Sequence, residues 1–95
     1  MRIDGFVWLD QFVEKIEVKH DVLPEEVEEV FWNRPRIKRI RRGKVHGEDL
    51  YRALGRAMNG RYLSVYFIYK PAVRKALVIS ARDMDKKERK SYGRR

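Results

Sequence analysis

Cysteine is absent from this sequence of 95 residues. Its absence excludes disulfide bonds and thiolate metal ligands, and it suits a reducing compartment. Only two histidines occur, His20 and His46, and no HExxH or CxxC spacing accompanies them, so we predict no metal site. The six glycines form neither a phosphate-binding loop nor a dinucleotide fingerprint, so we predict no cofactor.

Long apolar runs are also missing. No segment approaches the ~20 apolar residues that span a bilayer, and the first ten residues, MRIDGFVWLD, lack an apolar stretch of signal-peptide length. We therefore expect a cytoplasmic protein that makes no membrane contact. The hydrophobic share of 43% is enough for one modest core, and we expect one domain that spans residues 1–95.

Charge is abundant and unevenly distributed. Residues 1–33 carry three basic and nine acidic side chains, a net charge of −6, whereas residues 34–95 carry 20 basic and five acidic side chains, a net charge of +15. A solvated surface usually mixes both signs. Such segregation is typical of a surface that binds phosphates or an acidic partner.

The first third of the chain predicts one strand and two helices. Residues 3–8 (IDGFVW) have the pattern of a short strand. Residues 9–20 predict an amphipathic helix, and residues 23–32 (LPEEVEEVFW) predict a second helix whose glutamates face solvent. The apolar side chains that share one face of the first helix are Leu9, Phe12, Val13 and Ile16.

The next segments predict antiparallel strands. Residues 33–44 (NRPRIKRIRRGK) surround two isoleucines with basic side chains, which favours an edge strand, because such side chains discourage edge-to-edge aggregation. Residues 50–58 (LYRALGRAM) and 61–70 (RYLSVYFIYK) flank Asn59-Gly60, which predicts a hairpin turn.

The end of the chain predicts a last strand and a last helix. Residues 75–80 (KALVIS) read as a largely buried strand, and Asp85 followed by Glu88 predicts a capping box. The fold class is therefore α+β, with two N-terminal helices packed on an antiparallel sheet of about four strands and a short C-terminal helix. We expect helices on one face of the sheet and an open second face.

Aromatic residues interleave the basic segments, as in many proteins that hold single-stranded RNA. Tyr62, Tyr66 and Tyr69 lie within a predicted strand, which favours a structural role in the sheet. Tyr92 lies outside the core pattern and is the better candidate for a contact. The residues that we predict to contact RNA are Arg52, Arg56, Lys86, Arg89 and Tyr92.

RNA can be cleaved without a metal, because its 2′-hydroxyl can attack the adjacent phosphate. The protein then supplies position, a proton acceptor, a proton donor and positive charge. Residues of suitable type are Lys19, His20, Glu48 and Arg82. Other roles stay open, because an imidazolium suits a helix C-terminus and a glutamate can pair with an arginine.

Arg82 stands where the apolar run of residues 76–81 stops. On an open sheet face its guanidinium can bind a phosphate through two hydrogen bonds. The alternative is an ion pair with Glu48 or with a carboxylate of a helix.

The order of motifs resembles the BrnT family of toxins from type II toxin–antitoxin systems. The motifs that carry the resemblance are FVW (6–8), VKHDVLPEEVEEVF (18–31), HGE (46–48), ALGRAMNGRYLSVYF (53–67) and VISARDMDKKERKSY (78–92). The last one is the most specific: a strand that ends in Ser-Ala-Arg, then Glu-Arg and a tyrosine. The match runs through most of the chain.

This resemblance implies a RelE-like fold, a ribonuclease activity that halts translation, and a DNA-binding antitoxin of the ribbon-helix-helix type that forms an oligomer with the toxin. Its Lys-His, Gly-Glu and Ser-Ala-Arg motifs imply functional roles for Lys19, His20, Glu48 and Arg82. Our first hypothesis is a metal-independent endoribonuclease, in which the two basic residues Lys19 and Arg82 hold the phosphate and the other two share proton transfer. The alternative is a non-catalytic module that binds RNA or an acidic antitoxin through the same basic face.

Overall fold

The computed structural model describes residues 1–94, which form three helices and one sheet. The sheet order is β1-β5-β4-β3-β2. The elements in chain order are β1 (Gly5–Val7), α1 (Asp10–His20), α2 (Pro24–Trp32), β2 (Arg36–Arg41), β3 (Leu50–Arg56), β4 (Tyr62–Lys70), β5 (Lys75–Asp83) and α3 (Lys86–Gly93).

The sheet differs from the expected one in size and direction. It has five strands, and it is mixed, because β1 pairs in parallel with the start of β5. Strands β2 to β5 pair with their neighbours in the antiparallel manner that the sequence predicts. A strand of three residues carries no local signal for the partner it joins, so the parallel pairing was missed.

Local sequence signals explain where the helices begin and end. Pro24 opens α2, and the backbone N–H of Leu23 donates to the Glu26 carboxylate at 3.0 Å. Helix α1 is capped by Asp21, which adopts a left-handed conformation and whose N–H donates to the Glu17 carbonyl, while the N–H of Val22 donates to the Ile16 carbonyl. These contacts satisfy backbone groups that a helix end otherwise leaves unpaired.

The core lies between the two N-terminal helices and one face of the sheet, which we call the covered face. Helix α2 approaches β3 so closely that a Cβ atom at Gly55 would lie 2.6 Å from a methyl carbon of Val30; only glycine fits there. The main buried core residues are Ile16, Val27, Val30, Phe31, Leu63, Val65, Phe67 and Val78.

The glutamates of α2 do not have the purely solvated role that the sequence suggested. Glu29 accepts from the backbone N–H of Met58 at 3.0 Å, and Glu28 accepts from the indole N–H of Trp8 at 2.8 Å. Glu26 accepts from the side-chain amide of Asn59 at 2.9 Å. The acidic helix is therefore fastened to β1 and to the turn that joins β3 to β4.

The opposite face of the sheet, the open face, is covered only at one end. Helix α3 lies there, and Ser64 beneath it is fully buried although it points away from the core. The rest of this face carries long polar side chains such as Lys38 and Arg52, beside the half-buried apolar side chains of Leu50, Ile68 and Leu77. None of the helices within residues 1–94 is long and apolar enough to cross a membrane.

Candidate functional site

The strand register gathers basic and aromatic side chains in a row across the open face. Lys38 of β2 pairs with Arg52 of β3, and Arg52 pairs with Tyr66 of β4. Arg82 of β5 pairs with Ser64, two residues before Tyr66. Because side chains alternate along a strand, these residues all project from the same face.

Helix α3 adds a buried carboxylate to this row. Its N-terminal capping box fixes Glu88, whose backbone N–H donates to Asp85 at 2.8 Å while its carboxylate accepts from the Asp85 N–H at 3.0 Å. The same carboxylate accepts from Arg82 Nη1 at 2.7 Å and Nη2 at 3.0 Å. It also accepts from the Ser64 hydroxyl at 3.2 Å, so the Glu88 carboxylate links the start of α3 to β4 and β5.

The electrostatics of this pair keep both partners charged. Burial raises the pKa of Glu88, but hydrogen bonds from Arg82 and from the Asp85 backbone outweigh burial, so the pKa lies below its ordinary value. The hydrogen bond to Glu88 raises the pKa of Arg82, against the opposing effect of burial. Glu88 is 7% exposed, so the pair is an ordered element of the fold.

A cavity of about 530 Å³ opens beside the pair. Four of its lining side chains are cationic and two are carboxylates, which makes the cavity positive. Arg52 contributes an Nε atom that is buried and has no hydrogen-bond partner among the described residues, and such an orphaned donor is costly unless a ligand pairs with it. The lining residues are Lys38, Arg52, Tyr66, Arg82, Asp85, Lys87, Glu88 and Ser91.

Most of the side chains that the sequence predicts to contact RNA lie near this cavity or near α3. Arg56 and Arg89 hold their guanidinium carbons 5.0 and 3.7 Å from the centre of the Tyr62 ring. The Tyr92 ring lies 6.0 Å from the same ring. Lys86 is exposed in the first turn of α3. Tyr62 thus organises a second group of cations beside the cavity.

The structure places Lys19 and His20 at the C-terminal end of α1, on the covered side of the sheet. The backbone carbonyl of His20 accepts from Arg61 Nη2 at 3.0 Å. A hydrogen bond from Arg61 lowers the pKa of Asp83 most, and the nearby His20 lowers it further. Asp83 follows Arg82 in β5, so their side chains point to opposite faces, and His20 lies around the strand end from Arg82.

Glu48 does not join Arg82. Its carboxylate accepts from Lys70 Nζ at 2.7 Å, and Lys70 is six residues along β4 from Ser64, the strand partner of Arg82. That spacing corresponds to ~20 Å at the rise of a β-strand. The loop before β3 enters the sheet at the end opposite to α3, so the structure does not bring the expected four-residue cluster together.

Sequence reasoning missed the two groups that surround Arg82 most closely. Glu88 was recognised as a capping residue, but its second role requires α3 to fold back onto β4, which no local signal shows. Tyr66 was assigned to the sheet, and its ring centre lies 5.9 Å from the Arg82 guanidinium carbon. Alternation of basic residues with isoleucine in β2 was the only signal for Lys38.

Taken chemically, the cavity is an anion site with a preorganised guanidinium. Arg82 donates through Nη1 to the Asp83 carbonyl and to Glu88, and through Nη2 to Glu88. These bonds use three of the five N–H donors of an arginine. The remaining edge, Nε with the second N–H of Nη2, makes no hydrogen bond to a carboxylate or a carbonyl within residues 1–94 and has the geometry that binds a phosphate through two bonds.

Comparison with protein-family models gives a match. A family model described as "Ribonuclease toxin, BrnT, of type II toxin-antitoxin system" matches residues 10–88. This range begins at α1 and includes both Arg82 and Glu88. A comparison with curated proteins found no match.

Proposed function

Because this chain belongs to the BrnT family of ribonuclease toxins from type II toxin–antitoxin systems, we propose that it cleaves RNA without a metal ion at the cavity on the open face, and that this cleavage inhibits translation. The family also implies an antitoxin partner. We propose that this partner is a DNA-binding protein of the ribbon-helix-helix type and that it forms an oligomer with the toxin.

One observation carries the proposal: Arg82 is locked by Glu88, and its remaining edge, which bonds no carboxylate or carbonyl of the described residues, lies beside Tyr66 in a cationic cavity. A phosphate of RNA would bind that edge, with Arg52 of β3 and Lys38 of β2 adding positive charge across the same face. Preorganised donors of this kind stabilise the charge that develops on the phosphorane. Lys87 lies at the rim of the same cavity and would hold a flanking phosphate.

Glu88 fits a positioning role better than a proton-transfer role. Its two oxygens already accept four hydrogen bonds, from Arg82, Ser64 and the Asp85 backbone. These bonds occupy the lone pairs that would otherwise accept the proton of a 2′-hydroxyl. Its lowered pKa also makes it a weak base. The carboxylate holds the guanidinium in place and leaves the chemistry to other groups.

Proton transfer is assigned in this proposal to His20, with Lys19 adding charge. This assignment requires the scissile phosphate to lie over the end of β5 between Arg82 and His20, because a base acts only within hydrogen-bond reach of the 2′-hydroxyl. Both residues lie at the same end of β5 as Arg82, around the strand end from it. An RNA strand that leaves the cavity over this end would pass them. Glu48 has no part in the proposal, because it is paired with Lys70 at the other end of the sheet.

The test is an RNA cleavage assay with purified protein in EDTA. The intact protein should fragment single-stranded RNA, and Arg82→Ala should lower the rate about 100-fold, the loss that follows removal of one preorganised donor. His20→Ala should lower the rate by a similar order, as for loss of a proton-transfer group. The matched control is Arg2→Ala, since Arg2 is an exposed arginine that bonds only Asp4.

The outcome separates two functions. Cleavage that survives both the Arg82 and the His20 substitutions would remove the proposed site. Salt-sensitive RNA binding with no turnover in the intact protein would instead support the non-catalytic module. A specific observation favours that second function: no histidine lines the cavity, and its two carboxylates, Asp85 and Glu88, both cap the N-terminus of α3.

A further inference from the structure

The outer edge of β2 is the most exposed stretch of regular backbone in the molecule. β2 is the last strand of the sheet order, and all six of its residues are exposed. In an edge strand, alternate backbone N–H and C=O groups point away from the sheet. Within the described residues, no backbone group of another segment donates to this edge or accepts from it.

Positive charge surrounds this edge and determines what can pair with it. Basic side chains of β2 project to both of its faces, and two of them have partners: Arg36 donates to the Ser91 carbonyl at 2.6 Å and Arg39 donates to Asp49 at 3.4 Å. A second copy of β2 would bring like charges face to face, which disfavours pairing between two copies of this chain. An acidic strand would be attracted instead. The basic residues of β2 and of the loop that follows are Arg36, Lys38, Arg39, Arg41, Arg42 and Lys44.

An apolar groove of about 260 Å³ runs beside the same strand on the covered side. Its most exposed members are Trp32, at 61%, and Met1, at 59%. The Trp32 ring packs edge-to-face on Phe6, with 5.7 Å between ring centres, so the orientation of this lining side chain is fixed by packing. The lining residues are Met1, Ile3, Phe31, Trp32, Pro35 and Ile37.

We propose that the outer edge of β2 binds an extended acidic segment of a partner protein, which adds to the sheet as a further strand and places an apolar side chain in this groove. Backbone hydrogen bonds would supply the pairing, and the groove would supply the anchor. Since the family implies an antitoxin partner, the segment would belong to that partner. The proposal does not depend on RNA cleavage at Arg82.

A protein strand fits these observations better than a nucleic acid does. RNA would bind the basic side chains of β2, but its backbone does not carry the alternating N–H and C=O groups that pair with an open strand edge. It also has no aliphatic group to fill a groove formed by Trp32, Ile37 and their neighbours. The apolar groove and the open backbone edge are together the signature of strand addition.

The test uses a ten-residue synthetic peptide in which glutamate and leucine alternate, labelled for fluorescence anisotropy. It should bind the intact protein, and amide hydrogen exchange should slow at residues 36–41. A peptide with lysine in place of glutamate should not bind. Trp32→Ala should weaken binding about 10-fold, because burial of a large apolar side chain is lost, whereas Met58→Ala, at an exposed apolar residue that does not line the groove, should not.

A second pair of variants guards against loss of the fold at Trp32. Arg41→Glu reverses the charge of an exposed side chain of β2 and should weaken binding of the acidic peptide several-fold. Lys75→Glu, at the start of β5, should not weaken it. Protection that maps to α3 instead of β2 would overturn the proposal. The proposal would also be overturned if a ten-nucleotide RNA displaced the peptide and the peptide bound Trp32→Ala as tightly as the intact protein. The edge of β2 would then be a binding site for RNA. A protein that proves inactive on RNA leaves this test intact.

Discussion

Two arginines at the same end of the sheet, Arg61 and Arg82, bond carboxylates on opposite faces. On the covered side, Arg61 donates through Nε to Asp83 at 2.7 Å and through Nη2 to Asp83 at 3.2 Å. Its other N–H groups reach the carbonyls of His20 and Asp21 and the carboxylate of Glu26. On the open side, Arg82 spends three donors on Glu88 and the Asp83 carbonyl, and its remaining edge lies beside Tyr66.

The difference shows how the same residue type serves two purposes. A guanidinium has five N–H donors, and Arg61 uses all of them to tie the end of α1 to α2 and β5. Nothing is left for a ligand. Arg82 is also held by a carboxylate, but it borders a cavity with an orphaned donor of Arg52. Ion pairing alone therefore does not distinguish the two arginines. They differ in the number of donors that carboxylates and carbonyls occupy and in the space beside them.

The largest expected effect that tests this contrast is on stability. Arg61→Ala leaves two carboxylates and two backbone carbonyls without their donor, so the free energy of unfolding should fall by about 3 kcal/mol. Arg82→Ala should cost about 1 kcal/mol, because Glu88 keeps its bonds from Ser64 and the Asp85 backbone. Urea denaturation followed by circular dichroism measures both values.

Arg61→Lys provides the matched control for that experiment. Lysine keeps the charge but cannot form the planar fork, so it should recover only part of the lost stability. Equal destabilisation by the Arg61 and Arg82 substitutions to alanine would show that the two clusters do the same structural work, and the contrast would fail.

Local signals in the sequence predicted the parts of the fold that form locally. Asn59-Gly60 marks a turn that exists: the N–H of Ala57 donates to the Arg61 carbonyl at 2.9 Å, and Gly60 has a φ of 92°. The Asp85–Glu88 capping box also forms. The parallel pairing of β1 with β5 depends on residues about 70 positions apart, where the pattern of either segment says nothing about the other.

The candidate site follows the same division. Arg82 could be singled out because an apolar strand stops beside it. An ion pair of Arg82 with a helix carboxylate was one of the alternatives. The sequence could not identify Glu88 as the partner, because that bond requires α3 to turn back over Ser64 on β4. Glu48 was grouped with Arg82 by residue type and by a family motif, and strand register then carried it to the other end of the sheet.

A smaller effect is expected when pH falls. The hydrogen bond from Arg61 lowers the pKa of Asp83. Burial raises the pKa of Glu88, but the hydrogen bonds from Arg82 and from the Asp85 backbone outweigh burial, so that pKa also lies below its ordinary value. Between the ordinary and the lowered pKa the unfolded chain binds more protons than the folded one. The stability from each carboxylate is therefore complete above its ordinary pKa, 3.8 for Asp83 and 4.5 for Glu88, and is lost as pH falls through the lowered value.

Urea midpoints measured from pH 7 down to pH 2.5 check this expectation on both faces. The decline should be shallower in Asp83→Asn and in Glu88→Gln than in the intact protein, because each variant removes one carboxylate that titrates differently in the two states. Unchanged slopes in both variants would show that neither cluster contributes to acid sensitivity.

The smallest expected effect concerns the surroundings of Arg82 and uses the salt dependence of RNA binding. Each phosphate that a cation neutralises contributes about 0.7 to the slope of log affinity against log salt for a single strand. Lys87→Ala at the cavity rim should therefore lower the slope by about that amount and weaken binding a few-fold. Lys75→Ala removes the same charge at the opposite end of β5 and should change neither quantity. Equal effects at Lys87 and Lys75 would mean that RNA responds to the net charge of the whole protein, and the cavity beside Arg82 would lose its claim to be the binding site.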